Sequence, residues 1–286
     1  MRVHEALKRA SSFLQAHGRE PQAAELLFRH HLGVTRTKFF QMLQDDLPGD
    51  VEERLMADIR RHANGVPVQH LTEEEMFYGR RFHVNRDVLI PRPETEELVE
   101  AVLKSIEEQF PEKEGLRVVD VGTGSGVIAA TLALEAPDLA VSAVDLSEAA
   151  LSMASQNAAR LGAQVDFYRG DLLSPLIEQG LKADVVVSNP PYIPDGELKN
   201  LDPIVKDHDP RLALDGGDDG LAVYRKLTAQ LPKILNRRGL VAFEIGVGQS
   251  KEVADLLRNA FGDSTKIFIK KDINGKERMV IAMISR

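Results

Sequence analysis

From about residue 116 onward the chain alternates short β-branched runs with stretches of helical periodicity, and this alternation limits the fold more than any other feature. Strands are expected at 116–121, 140–144, 165–168, 183–188, 240–245, 265–269 and 278–284, with helices at 127–134, 148–161, 221–235 and 251–261 between them. Strands separated by helices pair in parallel, so a doubly wound sheet is expected. The last two strands are joined only by a short turn through Asn274 and Gly275 and must run antiparallel. The expected sheet is therefore mostly parallel, with one reversed strand near its edge.

The first 75 residues read differently. Val3, Leu7, Ala10 and Leu14 recur at three- and four-residue spacing, and Gly18 can end that helix in the left-handed conformation. Pro21 suits the first turn of a second helix carrying Ala24, Leu27 and Phe28, which stops near Gly33. Phe39, Phe40 and Leu43 mark a third. Asp50 and Glu53 resemble a capping box ahead of a fourth, which carries Leu55 and Ile59. A small bundle is expected over 1–75. A hairpin linker is expected over 76–93, from the aromatic and β-branched residues around Gly79 and the run Val88-Leu89-Ile90 that precedes Pro91-Arg92-Pro93. Residues 94–286 then form the larger α/β domain, and Glu94-Thr95-Glu96 opens its first helix with acids at the positive end.

Composition removes several function classes. With 286 residues and 43% hydrophobic content the chain can bury one large core and one small one. No cysteine is present, so there is no disulfide framework, no thiolate nucleophile and no cysteine-containing zinc site. A formal charge of −8 argues against holding duplex nucleic acid by counterion release. The amphipathic start and the lack of a long apolar window lead to the expectation of a soluble, cytoplasmic protein without a membrane span.

Two loops carry the chemistry. Gly122-Thr123-Gly124-Ser125-Gly126 lies between the first strand of the α/β domain and its helix, where glycines admit a ligand close to backbone amides. Dinucleotide enzymes share such a turn, but their third glycine would fall at Val127 and here it falls at Gly126. Asp120, just before the loop, suits a ligand bearing a positive amino group. Asp145, ending the second strand, can take the two hydroxyls of a ribose. Asp171 and Leu172, after the third strand, can meet an adenine amino group and ring. Each aspartate alone could be an ordinary turn or cap residue. Together they outline one ligand along one edge of the sheet.

The second loop is Asn189-Pro190-Pro191-Tyr192. Two prolines end the strand ladder, because neither ring nitrogen donates, and Pro190 holds Asn189 extended. Asn189 thus stands at a strand end with its amide aimed beyond the sheet, and Tyr192 is either a substrate-packing or a rim residue.

With these residues in place, the second half resembles the class I S-adenosylmethionine methyltransferases, whose Rossmann-like fold has a seven-stranded, mostly parallel sheet. Tyr78-Gly79, Pro91-Arg92-Pro93-Glu94-Thr95-Glu96 and Leu214-Asp215-Gly216-Gly217 extend the similarity to the HemK/PrmC family of release factor glutamine methyltransferases. One departure is Asp209 before Pro210, where the family pattern has Glu. The resemblance implies S-adenosylmethionine as cofactor, S-adenosylhomocysteine as product, and peptide chain release factors 1 and 2 as partners. The glutamine of their Gly-Gly-Gln loop would be the acceptor. It implies Gly122, Thr123, Gly124, Ser125, Gly126, Asp120, Asp145, Asp171, Leu172 and Asn189 as cofactor-binding, Asn189, Pro190, Pro191 and Tyr192 as substrate-binding, and Asn189, Pro190 and Tyr192 as catalytic. No metal is expected. Asp215, Asp218 and Asp219 near glycines suggest a calcium loop, but Gly217 occupies a ligand position and the closing glutamate is missing. Other readings are an adenine-N6 methyltransferase acting on DNA or RNA, since the same loop suits a flipped base, and a non-catalytic binding protein on the same fold. Glu244 is open between a structural role and one facing the substrate.

Overall fold

The computed structural model describes residues 1–110 and 114–285 and divides into two compact units, Met1–Glu74 with Asp202–His208, and Glu75–Leu201 with Asp209–Arg286. The first unit contains α1 (Val3–Ala16), α2 (Gln22–Leu32), α3 (Arg36–Gln41), α4 (Gly49–Ala63) and α5 (Val68–Thr72). Their apolar faces meet in one core built on Leu14, Leu27, Phe28, Phe39, Leu55 and Ile59. Gly33 ends α2 in the left-handed region at φ 64°, where the missing Cβ removes the steric penalty. The capping box expected at Asp50 does not form. The helix starts two residues earlier, with Pro48 as its cap and Gly49 its first residue, and Asp50 sits inside the first turn bonded by Arg54.

In the second unit β1 (Glu74–Phe77) and β2 (Arg80–His83) form a hairpin whose turn is Tyr78-Gly79. Val88-Leu89-Ile90, expected in that hairpin, is not a strand. Asn85 closes an Asx turn on the Asp87 amide at 2.9 Å, which diverts the backbone, and Val88 packs with Val84 against Ala150 instead of joining a ladder. The chain continues through α6 (Pro93–Gln109), β3 (Arg117–Val121), α7 (Val127–Glu135), β4 (Ala140–Asp145), α8 (Glu148–Leu161), β5 (Asp166–Arg169), α9 (Ser174–Glu178) and β6 (Ala183–Ser188). After it come α10 (Asp195–Leu198), α11 (Pro203–His208, in the first unit), α12 (Ala222–Ile234), β7 (Leu235–Glu244), α13 (Ser250–Phe261), β8 (Lys266–Lys271) and β9 (Glu277–Ser285).

The seven strands lie in the order β5-β4-β3-β6-β7-β9-β8, and only β9 runs against the rest. This is the class I methyltransferase topology, with the reversed strand one place from the edge. Alternate residues of the central strands face opposite layers, as a period of two requires. Val118, Val185 and Leu240 pack beneath α6, α7 and α8, while Val119, Val186 and Val241 meet the side of α9, α12 and α13. The connections leave β3 in one direction through β4 and β5 and return on its other side through β6 and β7. The carboxyl ends of β3, β4 and β6 therefore border the switch point where such sheets bind ligands. Among the described residues no helix is long and apolar enough to cross a membrane.

Candidate active site

A cavity of about 620 Å³ opens at that switch point, within the range of small-molecule sites. Its lining contains Gly122, Thr123, Gly124 and Ser125 of the glycine-rich loop but not Gly126, together with Asp145 at the end of β4, Asp171 and Leu172 after β5, and Asn189 and Pro191 after β6. Four loops distant in sequence thus converge, because parallel strands deliver all their carboxyl ends to one edge.

The loop is tied down before any ligand arrives. The amides of Gly122 and Thr123 donate to the Val144 carbonyl, at 2.8 and 3.1 Å. Asp145 accepts from the Gly124 amide through Oδ2 and from the Ser147 amide through Oδ1, both at 2.9 Å. Each carboxylate oxygen keeps lone-pair capacity for a diol, and the two amides hold the group in one orientation. Gly126 is at φ 82°, and a Cβ there would stand 2.9 Å from the Cβ of Ala154 on α8, so this glycine serves packing as well as the turn. Asn157 of the same helix bonds the Ser125 carbonyl and both backbone groups of His83, joining the loop to the end of the hairpin.

Asp120 is fully buried and does not itself line the cavity. Its Oδ2 accepts from the Thr123 hydroxyl at 2.6 Å, and Thr123 does line it. Asp120 Oδ1 has no protein partner among the described residues. Burial pushes this carboxyl up to about 7, against the lowering effects of the Thr123 bond and the Ala129 amide and with a smaller push from Asp145. The carboxyl therefore meets the cavity only through the Thr123 hydroxyl that it holds.

Leu172 occupies the left-handed region at φ 55°, uncommon for a residue with a Cβ. Asp171 is half-exposed beside Lys226, whose Nζ lies 4.0 Å from Oδ2. Along this edge stand a carboxylate with free lone pairs at the end of β4, an apolar and acidic stretch after β5, and a buried acid behind the loop.

Of the Asn189-Pro190-Pro191-Tyr192 loop, Asn189 and Pro191 line the cavity, whereas Pro190 is buried and Tyr192 lies partly buried against the apolar core on the side of α9, α12 and α13. The Tyr192 hydroxyl is raised to about 12, chiefly by burial and next by Glu244. The Tyr192 carbonyl accepts from Gln249 Nε2 at 2.9 Å, and the segment around Gly216 and Gly220 runs directly against it. A Cβ on Gly220 would lie 2.4 Å from that carbonyl, so only glycine allows this approach. The neighbouring acids are taken up by their own loop. Asp215 accepts from the Gly217 amide and Arg211, and Asp219 from the Leu221 amide and Arg225.

Two residues not singled out as site residues, Arg92 and Thr95, complete the wall. Thr95 lines the cavity and accepts from Asn189 Nδ2 at 3.1 Å while donating to Glu244 Oε2 at 2.7 Å. Arg92 pairs with the buried Asp209 at 3.0 Å. That ion pair accounts for an acid before Pro210, where glutamate was expected. The signal for Thr95 was its place in Pro93-Glu94-Thr95-Glu96, two residues into α6, where a side chain points back past the helix start.

Two family models match the chain: one described as PrmC N-terminal domain over residues 5–72, and one described as Methyltransferase small domain over residues 100–236. A release factor glutamine methyltransferase of Bacillus anthracis is 50% identical over 284 residues, which cover 99% of this chain and 100% of that protein. A solved protein-(glutamine-N5) methyltransferase (release factor-specific) of Alicyclobacillus acidocaldarius is 34% identical, covering 72% of this chain and 100% of that one, with a TM-score of 0.45. The T. thermophilus 16S rRNA N2 G1207 methyltransferase, solved with AdoMet and guanosine, superposes with a TM-score of 0.53 at 18% identity. It covers 74% of this chain and 50% of that one, a likeness of fold alone.

Proposed function

The chain belongs to the release factor glutamine methyltransferase family, and from that premise we propose that it methylates the side-chain amide nitrogen of the Gly-Gly-Gln glutamine in release factors 1 and 2. The observation that carries this reading is Asn189, whose amide borders the cavity at the carboxyl end of β6 while its nitrogen is held by Thr95. S-adenosylmethionine supplies an electrophilic methyl group on a sulfonium when bound. Asp145, Asp171, Leu172 and the 122–126 loop would hold it, with Asp120 acting through Thr123.

An amide nitrogen is a poor nucleophile because its lone pair is delocalised into the carbonyl, and it does not lose a proton near neutral pH. Alignment is therefore the chain's main contribution, worth up to about 7–11 kcal/mol for well-placed reactants. Asn189 Oδ1 and the Pro190 carbonyl accept the two amide hydrogens and strengthen as positive charge develops on nitrogen. Loss of one such contact costs about 3–4 kcal/mol. Pro191 fixes the loop at the cavity wall. Tyr192 packs on the flat amide of the acceptor, and its backbone carbonyl is held by Gln249.

The names of the relatives do not favour the adenine-N6 reading. The formal charge of −8 supports a protein acceptor over a nucleic acid, and translation in the cytoplasm is the setting. Residues 1–75 serve as the substrate-recognition domain, 76–93 as the linker and 94–286 as the transfer domain; charge reversals on the first segment raise KM for the factor and leave kcat unchanged. The test of the whole reading is methyl transfer from labelled S-adenosylmethionine to a purified release factor, beside a DNA control. Label on the factor supports it, and label on DNA alone overturns it.

A further inference from the structure

Asn189 can present either its carbonyl or its NH₂ to an acceptor amide, and only the carbonyl is productive. The groups behind it decide which. Thr95 has one hydroxyl hydrogen, and at 2.7 Å from Glu244 Oε2 that hydrogen belongs to the carboxylate. Its oxygen is then free only to accept, so the group that meets it from Asn189 at 3.1 Å must be Nδ2. Glu244 is itself fixed: it ends β7, is 2% exposed, and its backbone carbonyl accepts from the Tyr224 hydroxyl at 2.6 Å. We propose that Glu244 is a positioning residue, which through Thr95 imposes one hydrogen-bond polarity on the Asn189 amide and so keeps Oδ1 turned toward the acceptor nitrogen.

This inference rests on the role given above to Asn189 and adds the source of its orientation. A carboxylate at the end of the relay also polarises both dipoles in the direction that strengthens Oδ1 as an acceptor. Protonation would undo this. A neutral Glu244 can donate to Thr95, whose hydrogen can then turn to Asn189 Oδ1, and the amide is released to flip. Burial raises the Glu244 carboxyl to about 7, with a smaller push from Glu94, opposed by the Thr95 bond, by Arg278 and by the Asn189 amide itself, whose NH₂ also faces this carboxylate, so the change falls within an accessible range. The charged or titratable groups facing it are Glu94 on α6, Tyr192 after β6, Tyr224 on α12 and Arg278 on β9, the last paired with Asp272. Both tyrosines are shifted upward and stay protonated through neutral pH. Asp120 also titrates near 7, so a pH limb in the wild type is assigned only by variants at the relay.

The experiment compares wild type, Thr95→Val, Thr95→Ser and Glu244→Gln in methyl transfer to a release factor between pH 6 and 9, with S-adenosylhomocysteine affinity measured by calorimetry. Thr95→Val is expected to lower kcat about tenfold or more, with inhibitor Kd within about threefold of wild type. Thr95→Ser restores kcat and the rise with pH. Glu244→Gln, nearly isosteric and able to fold where the valine variant fails, lowers kcat and loses the Glu244 part of the rise. Wild-type kcat and pH profile in either Thr95→Val or Glu244→Gln overturn the relay while methylation of the factor stands. A wild type that never labels the factor overturns the relay together with the function beneath it.

Discussion

Gly126→Ala places a methyl group where α8 already stands. The new Cβ would lie 2.9 Å from Ala154 Cβ and 3.0 Å from its Cα, and Ala154 is fully buried. Backbone is the obstacle, so no side-chain rotation relieves it. The residue would also be held at φ 82°, which costs an L-residue about 1–2 kcal/mol. Overpacking adds about 1–3 kcal/mol. The expected loss of about 2–5 kcal/mol lowers Tm by roughly 4–20 °C for a unit of this size. Gly124→Ala is the control. It has φ 56° and nothing within 4 Å of its Cβ, so only the conformational part remains, about 1–2 kcal/mol, and Gly124 itself lines the cavity. Thermal unfolding and calorimetric titration with S-adenosylmethionine separate the two. Gly126→Ala should lose mainly Tm and Gly124→Ala mainly affinity. Wild-type Tm in Gly126→Ala would refute the packing argument.

Asn189→Ala should reduce kcat by about 10²-fold or more, with steady-state kinetics on the release factor as the check; an unchanged kcat removes its role. Gly220→Ala pushes against the Tyr192 carbonyl and Gln249, so kcat should fall about tenfold or more while cofactor affinity measured by calorimetry holds. Asp120 and Glu244 are both raised from the ordinary carboxylate range to about 7. The folded chain then holds more protons than the unfolded one between about pH 4 and 7, so the stability they confer is full below that window and lost as pH rises through 7. Urea midpoints of the ligand-free protein should be higher at pH 5 than at pH 8, with part of the difference removed by Asp120→Asn. A higher midpoint at pH 8 contradicts the assignment.

The succession of strands, their mostly parallel sense and the position of the ligand edge were legible because β-branched runs, glycine turns and helical periods repeat strongly through the second unit. The antiparallel pairing of β8 and β9 followed from a connection too short for a crossover, and Gly275 at φ 77° supplies its turn. Asp145, Leu172 and Asn189 were readable as strand-end residues. The hairpin was misread at Val88 because an apolar triplet before proline looks like a strand, whereas burial against Ala150 and the Asn85 turn serve the same side chains without one. Asp120 was located correctly along the chain but lies a layer deeper than its motif position suggested, and Tyr192 is half-buried off the cavity lining. Depth depends on which face of a strand or loop meets the core, and two neighbouring positions differ by that alone. Thr95 and Glu244 are 149 residues apart. No local pattern joins them; the register of β7 and the start of α6 do.

The central claim is that one glutamine side chain receives the methyl group. The measurement that meets it directly is peptide mapping by mass spectrometry of a release factor incubated with this protein and S-adenosylmethionine, beside a factor whose loop glutamine is changed to alanine. The account predicts one added methyl on the side-chain nitrogen of that glutamine and none on the altered factor. A methyl group elsewhere on the factor, or one that persists when the glutamine is gone, would contradict it.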